Sequence, residues 1–217
     1  MSSLQARSNR FPSRRLGAVL LLLVAVVLAG CSSNASGSTK SDLNDQANTV
    51  GKYQGFPADP PLPRPSFTLT DTSGAPYSFS TETAGHPTLL YFGYTECPDV
   101  CPTTMADIGN ALRAVPSSLR DKTEVVFVTT DVKHDTPAVI ASWLRHFDAG
   151  LPNQFVGLSG TQTQVDTAQA AAHVMLAEDG GQQHSAKVLL YGADDYSHVS
   201  FEQSTNLSDQ IAHDLKV

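Results

Sequence analysis

The stretch Leu89-Leu90-Tyr91-Phe92-Gly93-Tyr94-Thr95-Glu96-Cys97-Pro98-Asp99-Val100-Cys101-Pro102 decides the fold. A short apolar run leads into two cysteines set four residues apart. Beyond them Met105, Ile108, Leu112 and Val115 recur at the period of an amphipathic helix. The cysteines therefore stand at a strand-to-helix junction. One turn of such backbone brings two Cα atoms within roughly 6 Å, inside the window for disulfide closure, and points both sulfurs to one side. The pair is suited to redox exchange or to clamping a metal between two thiolates. A structural staple is the weaker reading, because the stabilisation from a cross-link grows with the loop it closes and this loop is short.

Residues 1–30 read as a signal peptide. Arg7, Arg10, Arg14 and Arg15 precede the apolar run from Leu16 to Leu28, which is short of the roughly 20 residues that a spanning helix needs. The run ends in Leu28-Ala29-Gly30-Cys31, which resembles the bacterial lipobox. That resemblance implies lipidation of Cys31 and an anchored, extracytoplasmic chain on the outer face of the cytoplasmic membrane. Residues 31–55 read as a flexible tether, since so polar a stretch cannot bury enough surface to offset its ordering entropy. The Pro-rich piece that follows is expected to be extended, and one domain runs over 56–217.

With the leader gone, the 14 Lys and Arg fall to 10 against 21 Asp and Glu, a net charge of −11. Nucleic acid selects for basic surfaces and is disfavoured as a partner. If Cys31 is lipidated, Cys97 and Cys101 are the only thiols left, in a compartment that permits disulfides.

The remaining pattern places the junction in a sheet. Phe67 to Thr70 and Tyr77 to Phe79 alternate around Asp71-Thr72-Ser73-Gly74 and read as an N-terminal β-hairpin. Thr88 to Phe92 and Glu124 to Thr130 read as buried strands. Asp135 or Thr136 can cap a helix that opens at Pro137, with Ile140, Trp143, Leu144 and Phe147 on its core stripe. Phe155 to Leu158 is a further strand, and Thr161 with Gln164 matches a capping box. Val188 to Tyr191 and His198 to Phe201 form a closing hairpin, followed by a helix marked by Leu207, Ile211 and Leu215. Alternating strands and helices imply parallel pairing with right-handed crossovers. The expected fold is α/β: a thioredoxin-like central mixed sheet flanked by helices.

Phe92-Gly93-Tyr94-Thr95-Glu96-Cys97-Pro98-Asp99-Val100-Cys101-Pro102 resembles the signature of the Sco/SenC family, and the likeness runs from Phe67 to the C-terminus. Members are thioredoxin-like copper proteins that assist assembly of the dinuclear copper centre of cytochrome c oxidase. The resemblance implies copper, as Cu(I) or Cu(II), held by Cys97, Cys101 and the histidine opening His184-Ser185-Ala186-Lys187-Val188, with the copper-bearing oxidase subunit as partner. The donor chemistry agrees: two thiolates and an imidazole form a soft, low-coordinate set that suits copper, whereas zinc normally takes a fourth ligand.

Of the seven histidines only His184 immediately precedes a late antiparallel strand, whose start faces the end of the sheet that carries the cysteines. His134, after the second buried strand, is the runner-up ligand. Asp99 lies between the cysteines and is either a further contact to Cu(II) or simply a carboxylate at a helix start. Two departures from the family pattern stand out. Asp131-Val132-Lys133-His134-Asp135-Thr136-Pro137 lacks the proline and arginine usual there, and Gly180-Gly181-Gln182-Gln183 replaces acidic and aromatic residues. The alternative function is a thiol-disulfide oxidoreductase that reduces the cysteines of the oxidase copper site, using Cys97 and Cys101 as a redox pair. Which sulfur attacks is left open by Pro98 and Pro102. A peroxiredoxin-like thiol peroxidase is weaker, since two such close cysteines are not its layout.

Overall fold

The computed structural model describes residues 51–217. The signal peptide, Cys31 and the tether as far as residue 50 lie outside the described residues. Among the described residues no helix is long and apolar enough to cross a membrane.

The Pro-rich piece forms β1 (Phe56–Pro63), so it is extended as expected but is also a full strand. It pairs with a single neighbour at the sheet edge, where a residue without an N–H is tolerated. The hairpin follows as β2 (Thr68–Asp71) and β3 (Pro76–Ser78). Asp71 holds its turn by accepting hydrogen bonds from the Ser73 and Ala75 amides. Phe79, read as the last strand residue, instead opens a one-turn helix α1 (Phe79–Glu82) and is fully buried.

β4 (Thr88–Gly93) is buried at all six positions and leads into α2 (Val100–Ala114). A short α3 (Ser117–Arg120) precedes β5 (Glu124–Thr129). Helix α4 (Pro137–Asp148) is capped by the Thr136 side chain with Pro137 at its first position. β6 (Val156–Ser159) leads to α5 (Gln162–Ala171), which opens on the expected Thr161–Gln164 capping box. β7 (Val188–Tyr191), β8 (Tyr196–Phe201) and α6 (Leu207–Asp214) complete the chain.

The strands form one eight-stranded sheet in the order β1-β8-β7-β4-β5-β6-β2-β3. β4, β5 and β6 are parallel, and β7 runs antiparallel to β4. Successive side chains of β4 point to opposite faces. Leu89 and Tyr91 join a core with Met105, Ile108 and Ile211, while Leu90 and Phe92 join another with Leu69, Leu158 and Val165. Burial on both faces is why that strand reads as a continuous apolar run. Trp143 packs on the first core, its ring 5.0 Å from Phe127 and 4.8 Å from Phe147.

Arg64 ties down the end of the sheet where β4 begins. Its side chain is 3 % exposed. The Nε–H donates to Asp195, and the terminal nitrogens donate to Thr83, Thr88, the His86 carbonyl and the Gly192 carbonyl at 2.7 to 3.0 Å. A guanidinium has five N–H donors, so each has an acceptor. Nothing in the local sequence pattern beyond Pro63-Arg64-Pro65 marks this role.

Candidate metal centre

The cysteines sit at the opposite end, where β4 stops at Gly93. Cys97 lies in the loop before α2 and Cys101 in its first turn, with Pro102 at a position that tolerates the missing N–H. Cys101 is fully buried and Cys97 is partly exposed, and both are free thiols. A Cβ on Gly93 would lie 3.0 Å from the Cys101 sulfur and 2.9 Å from the Tyr91 ring. The bare backbone at the strand end thus makes room for the buried thiol.

The two sulfurs differ chemically. Burial pushes the Cys101 thiol up to about 12, outweighing the Tyr91 hydroxyl, which donates to it at 3.4 Å. Burial also opposes ionisation of Cys97. There, however, hydrogen bonds from the Cys101 and Asp99 amides, with further help from the Cys101 and Tyr94 side chains, bring its pKa below the ordinary value. The Cys101 amide donates to the Cys97 sulfur at 3.3 Å. This is the thiolate-stabilising setting of a helix N-terminus, and it favours the thiolate at Cys97 over that at Cys101.

His184 comes to the same place. Tyr91 of β4 pairs with Val188 of β7, so the antiparallel register carries His184, four residues earlier, past the end of β4. Its Nε2 lies 3.4 Å from the Cys101 sulfur. Its Nδ1 lies 2.9 Å from the Ser185 carbonyl, which can only accept, so Nδ1 carries the proton and the Nε2 lone pair faces the thiols. An imidazole held in this way is the usual arrangement of a metal-ligating histidine. Burial lowers the His184 pKa, against the smaller opposing pull of the Ser185 carbonyl, so the ring is neutral at neutral pH. The rings of Tyr94 and Tyr91 meet it edge-on at 5.6 and 6.2 Å. The donor set fits a soft cation, although among the described residues no three Cys, His, Asp or Glu side chains are yet gathered at ligating spacing.

Asp99 stands at the N-cap position of α2 without a side-chain capping bond and lines the same cleft as Cys97 and His184. His134 is not among the residues lining that cleft. Its Nδ1 is 2.8 Å from the buried Asp131 carboxylate, an engagement that the sequence spacing alone does not disclose.

Three supports escaped sequence reasoning. Asp135, a candidate cap, turns inward and is 2 % exposed. It accepts from the Thr95 amide at 3.0 Å, from the Thr95 hydroxyl and from the Thr129 hydroxyl, fixing the cysteine loop against the end of β5. Gly181 adopts φ +98°, and a Cβ there would lie 2.1 Å from the Thr130 carbonyl oxygen. The Thr130 hydroxyl donates to the Gly181 carbonyl at 2.6 Å. Of the two glycines that depart from the family pattern, Gly181 is thus the one that lets the histidine segment dock. Gln169, at 0 % exposure, braces the other side of that segment: its amide donates to the Met175 carbonyl and accepts from the Ala177 amide. The signal for Gln169 was a glutamine interrupting an alanine-rich helix.

A mixed sheet with a dithiol junction after a central strand, and an imidazole delivered by the neighbouring antiparallel strand, defines a thioredoxin-like protein adapted to hold a soft ligand. Residues 58–217 match the SCO1/SenC family, and the chain belongs to it. A protein of Stutzerimonas stutzeri named for copper binding is 31 % identical over 185 residues, covering 80 % of this chain and 81 % of the relative. The copper-bound structure of Bradyrhizobium japonicum ScoI is similar, with TM-score 0.58 and 32 % identity over 71 % of this chain and 98 % of that one. The apo Sco1 protein of Thermus thermophilus gives TM-score 0.64 and 26 % identity over 76 % of this chain and 95 % of that one.

Proposed function

We propose that this protein is an extracytoplasmic copper carrier that serves assembly of the dinuclear copper centre of cytochrome c oxidase, taking copper as cargo on Cys97, Cys101 and His184. The observation that supports this most directly is the Nε2 lone pair of His184 directed at the Cys101 sulfur, 3.4 Å away, with the ring tautomer set by Ser185. The two sulfurs favour Cu(I), and the neutral imidazole adds a third donor without releasing a proton. Cys97, the sulfur whose thiolate is already favoured, engages an incoming ion first. Cys101 gives up its proton only as the metal replaces it, because its buried thiol resists ionisation otherwise. Residues 1–30 serve as the export leader, lipid on Cys31 holds the protein at the outer face of the cytoplasmic membrane, residues 31–55 act as the tether, and the thioredoxin-like domain spans 56–217.

Titration of the reduced protein with Cu(I) against a competing chelator tests this reading. Wild type is expected to reach an equimolar endpoint, Cys97→Ala to lose binding, and His184→Ala to bind much more weakly. Undiminished binding in both variants would refute the site. Closing the disulfide consumes both sulfur donors, so the oxidised protein is expected to release its copper.

The contrast between the two thiols also supports a thiol-disulfide oxidoreductase acting on the cysteines of the oxidase copper site. An accessible sulfur of lowered pKa beside a buried partner is the arrangement of an attacking and a resolving cysteine. That activity is expected to survive His184→Ala, whereas copper carriage is not.

A further inference from the structure

Met175 is 74 % exposed, the highest value among the large apolar side chains of the described residues. It lines the same cleft, of about 760 Å3, as Cys97, Asp99 and His184. Its backbone is nonetheless held firmly. The buried Gln169 side chain bonds the Met175 carbonyl at 3.2 Å and the Ala177 amide at 3.2 Å, and the Val174 amide donates to the Gln169 carbonyl at 3.1 Å. The fold thus anchors the chain on both sides of Met175 while leaving its side chain unpacked over the cleft. The contrast with Met105 is informative, since that residue is fully buried in the core.

A thioether is a soft donor that selects Cu(I), and an unbranched methionine side chain adapts its position readily. Two sulfurs and one imidazole nitrogen leave Cu(I) room for a further soft donor, and Met175 lines the cleft that Cys97 and His184 also line. We propose that Met175 supplies a labile fourth ligand to Cu(I) at the mouth of the cleft, an inference that rests on the copper-carrier reading above. The step is balanced simply: the thioether sulfur donates a lone pair to the ion, no electron is transferred, and no proton leaves because the group carries none. Such a ligand shields the ion in transit and is the first to yield to an incoming donor.

The test uses the selenomethionine-substituted protein, kept reduced and loaded with an equimolar amount of Cu(I). X-ray absorption at the selenium edge is expected to show a copper neighbour, and that signal is expected to vanish in Met175→Leu. The same variant should still bind equimolar Cu(I) but surrender it several-fold more readily to a competing chelator. Bound copper with no copper neighbour at selenium, or a signal that persists in Met175→Leu, overturns this inference and leaves the carrier reading standing. Failure of wild type to bind Cu(I) at all overturns both.

Discussion

The two ends of β4 solve opposite problems. Where the strand begins, one guanidinium has all its donors matched by short hydrogen bonds to two segments of chain, one holding Thr83, His86 and Thr88 and the other Gly192 and Asp195. Where it ends, the central contacts are made to sulfur, at 3.3 to 3.4 Å, and the surrounding order comes from supports set back from the thiols: Asp135, Gly181 and Gln169. The first end is saturated. The second holds its sulfurs and imidazole with hydrogen bonds to sulfur, weaker contacts that an incoming ligand can displace. Stability and chemistry are thus carried by different ends of the same strand.

The largest expected effect is at the reactive end. With Cys101 pushed up to about 12 by burial and Cys97 lowered by the hydrogen bonds it receives, the thiolate at neutral pH resides on Cys97. Alkylation of the reduced protein with iodoacetamide, followed by mass spectrometry, should therefore modify Cys97 selectively. Equal labelling of both would erase the distinction. The same contrast sets a sign for pH and stability. The folded state keeps Cys101 protonated, so its contribution is full below the ordinary thiol value of 9.0 and is lost as pH rises toward about 12.

At the saturated end, Arg64→Met is expected to cost about 3 kcal/mol, because buried acceptors lose their donor and apolar packing cannot replace it. Urea unfolding would show the loss, while Cu(I) affinity should stay close to that of wild type. A large fall in affinity would mean that the two ends are coupled. The smallest effect is expected from the clasp. Gly181→Ala forces a side chain into a left-handed conformation and onto the Thr130 carbonyl, at a cost of about 2 kcal/mol, with a several-fold loss of Cu(I) affinity as the His184 segment is displaced. Gly180→Ala is the control: it also has positive φ, but a Cβ there meets nothing within 4 Å, so affinity should hold.

The same division explains what was legible in the sequence. Strand, cysteine pair and helix were readable because apolar periodicity is local, as were the caps at Thr136 and Thr161. His184 was readable because it directly precedes a recognisable strand whose pairing partner could be inferred. Arg64, Asp135 and Gln169 were not readable in these roles. Each acts through partners outside its own element, and a lone polar residue in a proline-rich, loop or alanine-rich stretch carries no periodic signal. Phe79 was misassigned because the alternation that marks a strand continues for one residue into the first position of a helix. The contrast between the thiols needed three dimensions, since it depends on how deeply each sulfur is buried and on how many hydrogen bonds each receives.

The docking of Gly181 against Thr130 has a further consequence for engineering. Residues 174 to 187 leave the body after α5 and rejoin it at β7, braced by Gln169 on one side and by the Thr130 contact on the other. On the proposed reading the segment carries its donors on a frame separate from the strand and helix that hold the cysteines, so exchanging them is expected to leave Cys97 and Cys101 in place. Swapping the residues at 175 and 184 alone should then retune which ion the scaffold prefers, provided Gly181 is kept at its contact with Thr130.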